Sequence, residues 1–150
     1  MKKLLFALIL TLPYLSCKTQ EKISSPDTYE REIISFGSGG GFTGEVKSYS
    51  ILRNGQMFKN GSEVSGVASG ELTKLEDKIV DQLFLNFVNL KLAEIKLDDP
   101  GNMYRFINYK ENGNIHRIQW GGMKEEVPKN IKTFYKILNQ LATKNKGILR

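Results

Sequence analysis

Apolar and polar positions along residues 31–145 fall into alternating short strand-like and longer helix-like patterns. Residues 32–36 (EIISF) are short, apolar and β-branched, which suits a strand. Residues 45–53 (EVKSYSILR) are a second strand candidate with mixed faces, followed by Asn54-Gly55. That dipeptide signals a hairpin, because both central residues of a type I′ turn take positive φ. Residues 56–59 (QMFK) are therefore expected to pair back across it, and residues 60–70 (NGSEVSGVASG), small and polar, to form a loop.

The period then changes. Leu75, Ile79, Leu83, Phe87 and Leu90 recur at close to 3.6 residues, and Val80 and Phe84 widen the stripe. This predicts an amphipathic helix to about residue 89. Thr73-Lys74-Leu75-Glu76 in front of it matches a capping box, the Thr hydroxyl accepting from the Glu76 N–H and the Glu carboxylate reaching back. Asp98-Asp99-Pro100-Gly101 reads as a turn. Residues 103–109 and 115–120 are strands joined by a turn at 111–114 (ENGN). Pro128 is placed at the first position of a second helix, where its fixed φ fits. The stripe of that helix is Ile131, Phe134, Leu138, Leu141 and Ala142, and Lys144, Lys146 and Gly147 suit its end.

The order ββ(β)-α-ββ-α predicts an α+β fold: an antiparallel sheet of two β-hairpins with both helices packed on one face. The first 30 residues stand outside it. Residues 1–16 (MKKLLFALILTLPYLS) have a positive n-region, an apolar h-region and small Ser16, the layout of a signal peptide. Cys17 follows directly. Leu15-Ser16-Cys17 resembles the lipobox of bacterial lipoproteins. The resemblance implies that Cys17 is lipidated, palmitate included, and becomes the first residue of the mature chain. Acyl chains anchor firmly, since each buried CH₂ contributes about 0.8 kcal/mol. Residues 17–30 are then the lipidated N-terminus and a polar tether, and 31–150 a single domain. Lys18 stands where some inner-membrane lipoproteins carry Asp, which points to the outer membrane.

Composition narrows the function. A chain of 150 residues with 40% apolar and 25% charged residues suits one globular domain. No apolar run reaches the roughly 20 residues of a spanning helix. With one Cys there is no intrachain disulfide and no Cys-based zinc site, and with one His, His116, no His-pair metal motif. No cofactor or metal is expected, and His116, alternating with Ile115 and Arg117 in a strand, reads as a hydrogen-bonded surface residue. Catalysis is not expected. The net charge of +6 falls to +4 when Lys2 and Lys3 leave with the signal. Residues 101–150 hold ten Lys/Arg against three acidic residues, with Tyr104, Phe106, Tyr109 and Trp120 interleaved. A secreted, membrane-anchored chain seldom meets nucleic acid, so this charge reads as solvated faces near anionic headgroups.

One segment is left over. Residues 37–44 (GSGGGFTG) hold five glycines. They lack the Lys-Ser/Thr of a phosphate loop and precede a strand instead of a helix, so nucleotide binding is not expected. Two readings remain: a wide turn, or a loop that presents Phe42 and Thr43 to a partner. The candidate partner-binding residues are Ser38, Gly39, Gly40, Gly41, Phe42, Thr43 and Gly44.

The run from Ile34 through Ser38-Gly39-Gly40-Gly41-Phe42-Thr43-Gly44 resembles the opening of emfourin-like proteins, small bacterial inhibitors of thermolysin-like zinc metalloproteases. The later order is also similar: a helix with Leu83 and Phe87, a hairpin with Tyr104-Arg105-Phe106 and His116-Arg117-Ile118, then Val127-Pro128 ahead of the last helix. The resemblance spans about residues 31–142. It implies inhibition of a secreted or envelope metalloprotease through the glycine-rich loop, and with the lipobox, which is an addition to the emfourin-like pattern, the expectation is a lipid-anchored envelope domain. The alternative is a structural or assembly lipoprotein that binds another envelope protein through its sheet.

Overall fold

The computed structural model describes residues 24–62, 70–124 and 126–145. Its core is a seven-stranded sheet in the order β4-β3-β2-β1-β6-β7-β5, with two helices. The strands are β1 (Ile33–Gly40), β2 (Lys47–Leu52), β3 (Gln56–Lys59), β4 (Gly70–Lys74), β5 (Asp98–Asp99), β6 (Met103–Glu111) and β7 (Asn114–Trp120). The helices are α1 (Asp77–Asn89) and α2 (Lys129–Asn145), and a single 3₁₀ turn covers Leu92–Glu94. All pairings are antiparallel except β5 with β7. The α+β class and the two expected hairpins stand, and β1 is the strand that joins them, pairing with β2 on one side and β6 on the other.

Both helices lie on one face of this sheet. Alternation along the strands sends Ile34 and Phe36 from β1, Tyr49 and Ile51 from β2, Ile107 from β6, and Ile118 and Trp120 from β7 to that face. There they meet Val80, Leu83, Phe84 and Phe87 of α1 and Ile131, Phe134, Leu138 and Ala142 of α2. Aromatic rings tie the layers together: Phe87 stacks on Tyr109 at 4.4 Å between centroids and meets Phe134 edge-on at 6.1 Å. Burial pushes the Tyr109 phenol above its ordinary pKa. Glu111 and Glu32 raise it further, and Arg53 pulls the other way. Arg53 also ties the β2–β3 turn to α1, bonding Asp81 at 2.7 Å and lying over the Phe84 ring at 5.0 Å.

The structure departs from the sequence-based expectation at five places. Of the Asn54-Gly55 pair only Gly55 takes positive φ, so the β2–β3 turn is not type I′. Thr73 and Lys74 belong to β4, not to a helix cap. Helix α1 starts at Asp77 with Glu76 as its N-cap, and no side chain bonds there. Pairing with β3 (Met57 opposite Thr73) overrides the local capping signal, and Leu72 and Leu75 are buried by it. The α1 stripe is rotated as a result: Val80, Leu83, Phe84 and Phe87 are buried, while Ile79 and Leu90 stay exposed. Asp98 and Asp99, expected as a turn, pair in parallel with Gln119 and Trp120. Pro128 precedes α2 by one residue, its carbonyl accepting from the Lys132 N–H at 3.3 Å. The expected ends at Lys146 and Gly147 lie outside the described residues.

Among the described residues, the other face of the sheet carries no helix. Ile33, Leu52 and Phe58 form a small apolar cluster there with Tyr29 against it. Residues 24–30, polar in composition, thus run along the sheet: Ser24 N–H donates to Gln56 Oε1 at 3.2 Å and Lys110 Nζ to the Tyr29 carbonyl at 3.2 Å.

Candidate functional site

The glycine-rich run divides into two parts with different physical jobs. Ser38, Gly39 and Gly40 are the last residues of β1 and lie in the middle of the sheet, opposite Arg105, Tyr104 and Met103 of β6. Gly39 is buried, and a Cβ there would stand 2.7 Å from the Tyr104 hydroxyl, so the absent side chain is what lets the ring lie over the strand. At Gly40, with φ +99°, a Cβ would run into the Asn102 carbonyl oxygen. These glycines are required by packing.

Gly41, Phe42, Thr43 and Gly44 form the exposed tip between β1 and β2. Gly41 (φ +76°) and Gly44 (φ +63°) make the turn. The tip is hydrogen-bonded: Gly41 N–H to the Asn102 carbonyl at 2.7 Å, Gly44 N–H to the Gly41 carbonyl at 3.2 Å, and Glu45 N–H to Thr43 Oγ1 at 3.4 Å. Phe42 projects from it with a relative exposure of 108%, so its ring has no contact with the core.

Two further apolar side chains lie at the same end of the sheet, and sequence reasoning did not single them out. Met103 opens β6, opposite Gly40, and is 63% exposed; Met123 follows β7 and is 104% exposed. Their only sequence signal is a preceding glycine turn, Gly101-Asn102 and Gly121-Gly122. The turn carrying Met123 is held by the two-residue strand β5. Gly122 N–H donates to the Asp99 carbonyl at 2.7 Å and Lys124 N–H to Asp99 Oδ2 at 2.9 Å. The buried Asp99 carboxylate thus fixes that turn, and the absent side chain of Gly122 leaves room for it. Phe42, Met103 and Met123 are thus three exposed apolar side chains on turns along this end of the sheet, its apolar edge.

Beside this edge, on the helix side, a concavity of about 420 Å³ opens between the ends of β6 and β7 and the start of α2. Trp120 and Tyr135 form its wall, edge to face at 5.1 Å between centroids, and Tyr135 donates its hydroxyl proton to the Gly37 carbonyl at 2.9 Å. A second concavity, about 440 Å³, lies on the helix-free face around Ser35, Ser50, Asn108 and Arg117. There the Ser35 and Ser50 hydroxyls meet at 2.9 Å, and Asn108 Oδ1 is buried without a hydrogen-bond partner.

His116 Nε2 lies 3.1 Å from the Leu92 carbonyl oxygen, so its ring links β7 to the turn after α1. Among the described residues no three His, Cys, Asp or Glu side chains are grouped as metal ligands would be, and no helix is long and apolar enough to cross a membrane. Cys17 lies outside the described residues. The chain matches no family model, and no curated protein matches it.

Proposed function

We propose that this chain is a protein-binding domain of the bacterial envelope, anchored by lipid on Cys17, that holds its partner at the edge formed by Phe42, Met103 and Met123. The observation that carries the reading is Phe42: a fully exposed phenylalanine on a hydrogen-bonded tip, in a chain with a buried core of its own. Exposed apolar groups clustered on positioned loops are what an interface uses as its anchors. The domain acts by binding and not by turnover.

The anchor and the edge fit one geometry. Seven peptide steps separate Cys17 from Ser24, and a chain of that length reaches at most about 25 Å. Ser24 is bonded to Gln56, at the end of the sheet where β1 begins and β2 ends. The Phe42 tip is at the other end, the length of β1 away. A lipid on Cys17 therefore keeps Ser24 within about 25 Å of the bilayer surface, with the Phe42 tip at the far end of β1 from that attachment.

The resemblance of the glycine-rich run to emfourin-like proteins makes a thermolysin-like metalloprotease the partner to test, with the domain as inhibitor. The second reading, an assembly lipoprotein, draws on the helix-free face, where a concavity surrounds the unpartnered Asn108 Oδ1. One experiment separates them. Purified protein is titrated into a thermolysin-like protease and residual peptidase activity is followed. Stoichiometric loss of activity, relieved by Phe42→Ala, supports inhibition through the edge. Full activity at excess protein, with a fixed envelope partner recovered by crosslinking through residues of the helix-free face, supports assembly.

A further inference from the structure

Among the described residues, the concavity beside Trp120 is lined by two cations and no anion. Its lining is Arg105, Trp120, Val127, Lys132 and Tyr135 over the Gly121-Gly122 turn. Arg105 stands directly opposite Trp120 across the β6–β7 ladder, and Lys132 comes from the first turn of α2. Both side chains are exposed, and among the described residues neither forms an ion pair. Of the described acidic residues near this turn, Glu126 is exposed and outside the lining, and Asp99 has its carboxylate turned under Gly122 and bonded to the Lys124 N–H.

From this arrangement we infer that the concavity is a binding site for a carboxylate carried next to an apolar group. The chemistry follows from the lining. A guanidinium presents a planar fork that matches a carboxylate with two parallel hydrogen bonds, and a lysine adds a point charge from the opposite wall. The Trp120–Tyr135 pair and Val127 supply an apolar wall next to those charges, where a methylene or larger side chain loses contact with water. Tyr135 is held in place by its bond to the Gly37 carbonyl, so the wall is formed before the ligand arrives. Two protein sources carry this chemistry: a peptide C-terminus and a glutamate side chain.

Trp120 is the one tryptophan of the chain, so its fluorescence reports on this site alone. Purified protein is titrated at constant ionic strength with N-acetyl-leucine (a main-chain carboxylate), N-acetyl-glutamate α-amide (a side-chain carboxylate), N-acetyl-leucinamide and inorganic phosphate. At least one carboxylate should give a saturable change, and the one that does identifies the source; the amide and phosphate should give none. Arg105→Gln and Lys132→Gln should each raise the Kd about tenfold, the loss expected for a charge-assisted hydrogen bond. Their melting temperatures should match the parent, since both side chains are exposed. The inference is overturned if no probe saturates, if the amide or phosphate titrates as well as the carboxylates, or if both variants keep the parental Kd.

Discussion

Gly41 donates its backbone N–H to the carbonyl oxygen of Asn102 at 2.7 Å, and this bond joins the loop that carries Phe42 to the strand that begins at Met103. It continues the β1–β6 ladder one step beyond the last paired residues, Gly40 and Met103. Phe42 is therefore one residue away from sheet geometry, which is why an apolar side chain with no contacts still has a defined position.

Phe42→Ala separates binding from folding. The ring is 108% exposed, so its removal should leave the melting temperature within about a degree of the parent. Affinity for the partner should fall by about 2 kcal/mol or more, as for an interface anchor. A thermal melt and an inhibition titration on the same variant check both halves. A core residue would show the reverse pattern, roughly 3–5 kcal/mol of lost stability.

Gly40 and Gly44 both have positive φ, yet they should respond differently to alanine. At Gly44 nothing lies within 4 Å of the added Cβ, so the cost is the left-handed backbone alone, about 1–2 kcal/mol. At Gly40 the Cβ meets the Asn102 carbonyl, which cannot move without breaking the Gly41 bond. Gly40→Ala should cost about 2–4 kcal/mol by urea denaturation. Equal losses at the two sites would mean that Gly40 is not held against β6.

Tyr109 sets a limit at high pH. Its phenol is raised above the usual value near 10, chiefly by burial. The folded protein holds this proton more tightly than the unfolded chain, so the contribution is complete below about pH 10 and is lost as the pH climbs toward the folded pKa. Stability measured across that range should fall less steeply in Tyr109→Phe than in the parent. Identical slopes would show that Tyr109 is not the group responsible.

Lipidation of Cys17 is checked by fractionation. The parent should remain with membranes through salt and carbonate washes, because buried acyl chains are insensitive to charge screening. Cys17→Ala should be released in soluble form or accumulate with residues 1–16 attached. A variant that is processed and still resists both washes would rule out the lipid as the anchor.

The sequence by itself determined the elements whose causes are local. Asn54-Gly55 places the β2–β3 hairpin, but only Gly55 takes positive φ (+91°), so the turn is not the expected type I′. The turn at 111–114 does have both Asn112 and Gly113 at positive φ. The 3.6-residue stripes place both helices, and α2 buries Ile131, Phe134, Leu138 and Ala142 as its pattern predicts. Such signals act within a few residues and need no partner elsewhere in the chain. Tertiary structure decided what depends on distant neighbours. Thr73 and Lys74 match a helix cap, but Met57 pairs with Thr73 and Gln56 with Lys74 across the ladder, and a local cap cannot compete with that pairing. Asp98 and Asp99 have no strand character of their own and are extended because β7 stands beside them. The glycine-rich run looks uniform in sequence. Only the passage of β6 next to β1 separates the glycines needed for packing from the tip that carries Phe42. Met103 and Met123 join that tip because three chain segments far apart in sequence end at the same edge of one sheet, a relation that no local pattern encodes.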